Sequence, residues 1–300
     1  MHFPRSPSPS PNHLIIVMML NFLHQHRLIL ILSLACVFIL LPDHFVNILA
    51  ITLIVLVGLP HGLLDPWLIN EEWLKQKSTA LKIIAAYTAV ALAFAIFWWL
   101  APTIACALFI LISAQHFGQD LSSSGLSGWQ QASLGLAIIA WPIAWHPQQA
   151  HLIFEQLGVI LSISQLSVLA RLSMLIAALI LLVAKMKSKT RFDLLQLQLC
   201  LAIVALLCSP FVYFALYFCC LHSWQHFSQH QQLCRQLLQS SPWPLLLLFV
   251  LTIIFLGLST ILFLSEASHL QQASIVGIFY LLAALTMPHM IVIWRWQQRH

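Results

Sequence analysis

Residues 197–227, LQLCLAIVALLCSPFVYFALYFCCLHSWQHF, form a long apolar run that ends with two histidines, His222 and His226. About 20 apolar residues in a helix cross the roughly 30 Å hydrocarbon core of a bilayer, so the run predicts membrane-spanning helices. Ionisable side chains are costly inside lipid, so two histidines at the end of such a run need an explanation. The run predicts a membrane fold, but the histidine pair taken alone also occurs by chance and is compatible with an interface position.

The composition of the whole chain agrees with a membrane protein. Of 300 residues, 61% are hydrophobic and only 7% are charged, and the mean hydropathy is +0.92. A water-soluble domain with so apolar a surface would aggregate, and the alternating pattern of a membrane β-barrel is absent. We therefore predict an all-α fold, a polytopic integral membrane helical bundle with about 8–10 transmembrane helices.

Candidate spans divide the chain into a short tail and one membrane domain. Residues 1–26 begin with a stretch rich in proline and serine, which predicts a disordered or interfacial N-terminal tail. Residues 27–300 are predicted to be a single transmembrane helical catalytic domain. The candidate spans are 27–42, 44–61, 81–100, 102–118, 131–146, 167–185, 193–208, 210–228, 243–264 and 273–293.

Positive charges give these spans an orientation. With the N-terminus inside, the ten spans place twelve of the thirteen lysines and arginines on the inner side, and only Arg171 falls elsewhere. This positive-inside asymmetry predicts a multi-pass protein of the cell inner membrane with both termini in the cytoplasm. The formal charge of +5 is spread over loops rather than gathered in one patch, so no nucleic-acid partner is expected.

The cysteines give no sign of a disulfide framework. They lie in or next to apolar runs without a paired spacing, so we interpret them as reduced core residues rather than disulfide partners or metal ligands. They are Cys36, Cys106, Cys200, Cys208, Cys219, Cys220 and Cys234.

Five of the fifteen histidines lie within or at the end of apolar runs, and each of them falls in an even-numbered span. Those spans all run from outside to inside, so the five imidazoles fall at one depth in the cytoplasmic part of the bilayer. The other histidines, His230 among them, lie in tails, loops or interfaces, where a solvated side chain is expected. Imidazoles that converge at one depth predict a shared metal site in the bundle interior. The five are His61 in VGLPHGLLDP, His116 in LISAQHFGQD, His222 and His226 in HSWQHF, and His289 in TMPHMIV.

Local spacing supports a metal site. His222 and His226 are four residues apart, which places both on one helical face as two ligands of one ion. His289 follows Pro288, and a proline inside a helix frees a carbonyl and bends the helix. His289 is therefore either a ligand or a hydrogen-bonded residue beside the ligands.

Two aspartates follow the first two histidines at the same interval. Asp65 lies four residues after His61, and Asp120 lies four residues after His116. We expect each carboxylate to accept the second ring N–H of the histidine before it, which would fix the tautomer of a metal ligand. A solvated acid just beyond a helix end is the alternative for either aspartate.

The ligand type leaves the identity of the metal open, since neutral imidazoles suit zinc, copper, iron and nickel. A site of nitrogen ligands leaves the charge of the ion available to bind and activate a small molecule such as O2. No charged path crosses the predicted spans, so an enzyme with a lipid-soluble substrate is favoured over a solute pump. The aromatic residues of the spans are expected either to line an apolar tunnel or to pack between helices.

Four motifs in this order resemble the Brp/Blh family of bacterial and archaeal β-carotene 15,15′-dioxygenases: GLPHGLLD (58–65), SAQHFGQD (113–120), HSWQHF (222–227) and MPHMIV (287–292). The resemblance extends from about the second span to the C-terminus, and the first two motifs are its specific part. It implies an Fe(2+)-dependent enzyme that uses O2 to cleave the central 15,15′ double bond of β-carotene. The two products are all-trans-retinal, the chromophore of microbial rhodopsins.

The resemblance also implies which residues carry the activity. The positions that match the catalytic and iron-binding histidines are His61, His116, His222 and His226. Asp65 and Asp120 match the acids of the first two motifs, and His289 matches a further histidine that either binds the metal or lies beside its ligands. Two positions depart from the family pattern: Gln225 replaces a frequent arginine, and Leu63 replaces a small residue, which is expected to reshape the tunnel.

Two other classes of protein remain open from the sequence. A membrane di-iron desaturase or hydroxylase would need about eight histidines in clustered motifs, and a single H-x-x-x-H pair is present. A haem carrier or metal transporter would also use buried histidines, but would not act on a carotenoid. The iron content per chain would distinguish a di-iron enzyme from a mononuclear dioxygenase. A haem absorption spectrum would identify a haem carrier.

Overall fold

The computed structural model of the chain describes residues 26–69, 77–121, 125–185, 187–231, 233–234, 243–264 and 270–299. Within these ranges the regular elements are all helices, and no strand occurs. The predicted all-α fold is therefore confirmed. The α-helices are α1 Arg27–Leu40, α2 Asp43–Leu53, α3 Asp65–Ile69, α4 Lys77–Leu100, α5 Pro102–Gln119, α6 Gly128–Trp145, α7 Pro147–Gln156, α8 Ile163–Val183, α9 Ser188–Leu207, α10 Pro210–Tyr217, α11 Trp224–Gln229, α12 Trp243–Phe263 and α13 Leu270–Arg299.

Two long helical segments change their hydrogen-bonding pattern midway. Between α2 and α3 the chain passes through a π-helical turn at Ile54–Gly58 and a 3-10 helix at Leu59–Leu64. Between α10 and α11 it passes through a π-helical turn at Phe218–Ser223. π-Helical turns are rare and are frequently found at functional sites. Pro60 lies in the 3-10 helix and lacks an N–H, which favours the change of pattern there.

Six helical segments of the described ranges are long and apolar enough to cross a membrane. They are Phe45–Ile69, Ser78–Leu100, Ile163–Val183, Ser188–Leu207, Leu245–Phe263 and Leu270–Trp296. The predicted polytopic membrane class is therefore confirmed. The other predicted spans, 27–42, 102–118, 131–146 and 210–228, correspond to α1, α5, α6 and the interrupted segment α10–α11.

Two parts of the chain differ from the predicted spans. The second span was expected to end at His61, whereas the helical segment continues through the 3-10 helix and α3 to Ile69. Helix α7 lies between two predicted spans, and Pro147 at its first position is favourable because the missing N–H needs no partner there. The predicted tail, 1–26, lies almost entirely outside the described residues.

Helix α10 and the π-helical turn after it lie in the interior of the bundle. Phe211, Val212, Leu216 and Phe218 are all buried there. Gly58 lets the two π-helical turns approach closely, since a Cβ at this position would lie 2.6 Å from Phe218 Cε1. The absence of a side chain at Gly58 therefore brings the segment that carries the first motif histidine against the segment that carries the histidine pair.

The last two helices show which parts of the bundle face outward. Over their most apolar windows, 6% of the residues of Leu245–Phe263 are buried, against 56% of those of Leu270–Trp296. In a membrane protein, a helix that is apolar all round but little buried faces lipid. Helix α13, which carries the last motif histidine, therefore lies inside the bundle, and α12 lies outside it.

Candidate metal centre

Five histidines from four helical segments meet in the interior of the bundle. His61, His116, His222, His226 and His289 are each between 1% and 8% exposed. The ring centroid of His61 lies 5.4 Å from that of His222, 5.5 Å from that of His226 and 5.2 Å from that of His289. The ring of His116 lies 4.5 Å from His222 and 5.1 Å from His289. The structure thus brings together the five histidines of the four motifs.

The first two motif histidines, His61 and His116, each leave a ring nitrogen unpaired. The Nδ1–H of His61 donates to the carbonyl oxygen of Gly58, and a carbonyl only accepts, so the lone pair of His61 lies on Nε2. The Nδ1 of His116 is buried without a partner among the described residues. Each ring therefore presents one unpaired nitrogen to the interior.

Two further imidazoles are held by carboxylates. The Nδ1–H of His222 donates to Asp120 Oδ2 at 2.9 Å, and the Nδ1–H of His289 donates to Asp65 Oδ1 at 2.8 Å. Because a carboxylate accepts the proton-bearing nitrogen, the lone pair of each ring lies on Nε2. Both Nε2 atoms are buried and lack a hydrogen-bond partner within the described ranges.

The pairing of the aspartates corrects the expectation from sequence. Each carboxylate was expected to accept from the histidine four residues before it, but Asp65 pairs with His289 and Asp120 with His222. The 3-10 helix that ends just before Asp65 has three residues per turn, so His61 and Asp65 do not share a face as they would in an α-helix. The carboxylates therefore connect different helical segments rather than successive turns of one.

The unpaired nitrogens fit a metal ion. The candidate ligand atoms of His61, His116 and His289 lie within 4.8 Å of one another. Two nitrogens bound to one ion at about 2 Å each are at most roughly 4 Å apart, so only a small movement would close this group around a metal. A buried polar atom without a partner costs about 1–3 kcal/mol, and a bound cation would remove that cost for each lone pair. His222 adjoins this group, and so does His226, whose two ring nitrogens both lack a partner among the described residues.

A cavity of about 560 Å³ lies beside the histidines. Its wall includes His61, His116, His222 and His289, together with Leu63. The size is typical of a small-molecule site, and the wall suits an apolar ligand. The aromatic residues of the wall are Tyr87, Trp99, Phe109, Phe117, Phe214, Phe218, Phe255 and Tyr280.

A second cavity of about 120 Å³ adjoins the first. Phe109, Ser113, Phe117 and Phe214 line both cavities. These four side chains therefore form a partition, and the apolar space extends on both sides of it.

Sequence reasoning missed Tyr87 and Arg27, which support the histidines, and named Gln225 without giving it a role. Tyr87 donates to Asp65 Oδ2 at 2.8 Å. Gln225 donates to the backbone carbonyl of Asp120 at 2.9 Å and accepts from Arg27 at 3.3 Å. Tyr87 and Arg27 belong to none of the four motifs, so the sequence carries no signal for them.

His230 was expected to be a solvated loop residue, but it lies beside the histidine cluster. It is 7% exposed, and its ring centroid lies 4.6 Å from that of His226. Burial lowers the pKa of His230, so the ring is neutral near pH 7. The spacing of four residues from His226 to His230 is the signal in the sequence that predicts this contact.

Known proteins place this arrangement in a family. A family profile described as beta-carotene 15,15'-dioxygenase matches residues 52–297, which include all five clustered histidines. A beta-carotene 15,15'-dioxygenase from an uncultured marine bacterium, 66A03, is 28% identical over 257 residues, covering 81% of this chain and 91% of the relative. No solved structure matches the chain significantly. Since the profile spans most of the sequence, the chain belongs to the beta-carotene 15,15'-dioxygenase family of membrane oxygenases.

Proposed function

We propose that the protein cleaves the central 15,15′ double bond of β-carotene with O2 and Fe(2+), and releases two molecules of all-trans-retinal. The observation that carries this proposal is the set of buried, unpaired imidazole nitrogens in the wall of an apolar cavity. Membership of the family supports the reaction. A lipid-soluble polyene would reach such a cavity from the bilayer without crossing water.

The proposed iron ligands are the four histidines expected from the sequence and one more. The expected ligands are His61, His116, His222 and His226, which we also propose as the catalytic residues. His289 is the addition, because its Nε2 is as unpaired as that of His222 and its ligand atom lies in the closest group. Neutral nitrogen ligands suit iron(II), although they suit several other first-row metals as well. Iron bound there would supply the redox chemistry that activates O2.

The protein's own groups orient the ligands and position the substrate. Asp65 and Asp120 hold the N–H of two histidines, which fixes their tautomers and keeps their lone pairs directed inward. The aliphatic and aromatic wall would bind the polyene and exclude water from the reacting bond. Positioning of this kind decides which double bond is presented to the site.

The two adjoining cavities suggest how a central bond is selected. A symmetric substrate that is cleaved in the middle needs space for one half on each side of the reacting bond. We propose that the partition of Phe109, Ser113, Phe117 and Phe214 moves to join the two cavities when the polyene binds. The length of the joined space would then set the cleavage position.

The site of action is proposed to be the cell inner membrane, with both termini in the cytoplasm. The distribution of lysine and arginine supports this orientation. Both the substrate and the aldehyde product dissolve in lipid, so retinal would leave into the bilayer. A microbial rhodopsin in the same membrane is the proposed recipient.

Expression in bacteria that accumulate β-carotene tests the function. We expect the wild type to remove the orange colour and to form retinal, identified by chromatography, with about one iron per chain. His222→Ala is expected to abolish retinal formation and to lower the iron content of the inserted protein. His146→Gln is the matched control, because His146 is part-buried and donates to the carbonyl of Ala205 instead of facing the cluster.

Three outcomes would contradict parts of the proposal. Unchanged β-carotene in cells with inserted, iron-loaded wild-type protein would overturn the substrate. Normal retinal formation by His222→Ala would show that the site is assigned wrongly. An iron content near two per chain would favour the di-iron desaturase class over a mononuclear dioxygenase.

The fifth ligand has its own test. His289→Ala, His226→Ala and His222→Ala are compared for iron content after dialysis against a chelator. We expect His289→Ala to lose as much iron as His222→Ala does, because all three imidazoles contribute an unpaired nitrogen to the same cluster. Full iron content in His289→Ala would restrict the ligands to the four expected from sequence.

A further inference from the structure

The row of histidines in HSWQHF continues beyond the motif. The sequence HSWQHFSQHQQLC places His222, His226, His230 and Cys234 at intervals of four residues. Helix α11 ends at Gln229, but backbone hydrogen bonds at the four-residue interval continue past its end, from His230 N–H to the carbonyl of His226 at 3.2 Å and from Cys234 N–H to the carbonyl of His230 at 3.0 Å. The backbone therefore carries this row of residues at four-residue intervals beyond the end of the helix.

His230 presents an unused lone pair in this row. Its Nδ1–H donates to the carbonyl of His226 at 3.1 Å, which leaves the lone pair on Nε2. That Nε2 is buried and has no hydrogen-bond partner in the described part of the chain. The ring of Trp296 covers His230, with the two ring centroids 5.1 Å apart. His222 and His289 of the central cluster likewise have a buried ring nitrogen without a hydrogen-bond partner among the described residues.

His226 lies between His230 and the central cluster. Its ring centroid is 4.6 Å from that of His230, 5.5 Å from that of His61 and 5.7 Å from that of His289. Both of its ring nitrogens are buried and unpartnered within the described ranges. An imidazole binds an ion through one ring nitrogen. His226 could therefore bind the central ion with one nitrogen, while its other nitrogen has no hydrogen-bond partner within the described ranges.

Cys234 supplies a different donor at the outer end of the row. Its thiol is free and only partly buried, whereas His230 and His226 are buried. Thiolate and imidazole together bind divalent first-row metals such as iron, cobalt and zinc. The row therefore runs from a part-exposed sulfur through a buried imidazole to the central cluster.

We propose that His230 and Cys234 form a metal-entry site, from which Fe(2+) passes through His226 to the central histidines. The inference rests on the proposed iron centre and adds the route by which it is loaded. The Cys234 thiol loses its proton when the ion binds and regains it when the ion moves on, and the metal keeps its oxidation state throughout. Each transfer exchanges one ligand for the next one along the row.

Metal uptake by chelator-stripped, detergent-solubilised protein under anaerobic conditions tests the route. The variants are His230→Gln and Cys234→Ser, with His146→Gln and Cys36→Ser as matched controls away from the row. Excess Co(2+) is expected to give a thiolate-to-cobalt charge-transfer absorption in the wild type and both controls, and none in Cys234→Ser. With Fe(2+), we expect both row variants to load roughly tenfold more slowly than the wild type while reaching the same final iron content.

The outcomes separate this inference from the proposed function. Equal loading rates in the wild type and both row variants, with one iron bound in each, would overturn the entry site and leave the iron centre in place. Absence of the charge-transfer absorption in the wild type would remove Cys234 from the route. A wild type that takes up no metal under any condition would overturn both the entry site and the proposed iron centre.

Discussion

The two aspartate–histidine pairs of the centre are similar in chemistry but differ in surroundings. Asp65 is fully buried, and its two carboxylate oxygens lie 2.8 and 2.9 Å from Nδ1 of His289. Asp120 keeps 20% of its side chain exposed and contacts Nδ1 of His222 through one oxygen at 2.9 Å. The Asp65–His289 pair is therefore fully enclosed, whereas the Asp120–His222 pair is partly exposed.

The difference shows two ways to fix a metal ligand. Asp65 depends on the bundle interior, where water cannot replace a lost partner, so every hydrogen bond to it matters. Asp120 is held by a network that includes Gln225, which bonds to its backbone carbonyl, and Arg27 beyond it. A change at the buried pair should therefore have a larger effect than the same change at the part-exposed pair.

Asp65→Asn is expected to have the largest effect. The amide keeps the shape of the side chain but removes the charge that holds the Nδ1–H of His289 and makes its Nε2 a better ligand. Loss of a carboxylate behind a metal-bound histidine typically lowers metal affinity by about 10–100-fold, and full burial places this variant near the upper end. The iron affinity is measured by the iron that the variant retains in competition with a graded series of chelators. An affinity equal to that of the wild type would show that the carboxylate does not support the ligand.

Asp120→Asn is expected to lower iron affinity by no more than about tenfold, because solvent near the part-exposed side chain can replace the lost acceptor. The same chelator competition measures the change. The comparison between the two pairs would fail if this variant lost more iron than Asp65→Asn.

Tyr87→Phe removes the hydroxyl that donates to Asp65 at 2.8 Å. A buried hydrogen bond of this length contributes about 1 kcal/mol or somewhat more, so we expect a lower melting temperature and a small loss of iron. Thermal unfolding of the purified protein in detergent is the measurement. An unchanged melting temperature would indicate that water replaces the hydroxyl and that the pair is less enclosed than it is in the structure.

Tyr217→Phe is expected to have the smallest effect and serves as the control for Tyr87→Phe. The Tyr217 hydroxyl donates to Asp120 at 3.4 Å, which is long for an O–H···O bond. We expect a change below about 0.5 kcal/mol in stability and no measurable loss of iron. If Tyr217→Phe lowered the melting temperature more than Tyr87→Phe does, the part-exposed pair would be the more sensitive of the two, contrary to our expectation.

Much of the fold was predictable because the physics of the bilayer acts on short stretches of sequence. A run such as 243–264 is long enough to cross lipid whatever its neighbours are, and the structure has a helix at Trp243–Phe263. The meeting of the histidines was also predictable. Once the spans have a direction, His61, His116, His222, His226 and His289 fall at one depth, and the structure brings their rings together.

The pairing inside the site was not predictable from spacing. The interval from His61 to Asp65 suggests neighbours on one α-helix, but the chain forms a 3-10 helix over Leu59–Leu64. The sequence placed His230 in a loop, although its spacing continues the row from His226. Whether such a position is solvated or buried depends on tertiary neighbours, which here include Trp296, more than sixty residues away along the chain.

By itself, the sequence determined that the chain forms a helical membrane bundle and that its motif histidines share one depth. Those properties follow from apolar length, charge asymmetry and helical direction, which are local or additive along the chain. Only the tertiary structure decided that Asp65 supports His289, that Asp120 supports His222, and that His230 lies beside the centre. These contacts join different helical segments, and their geometry depends on how the helices rotate and pack, which residue spacing does not encode.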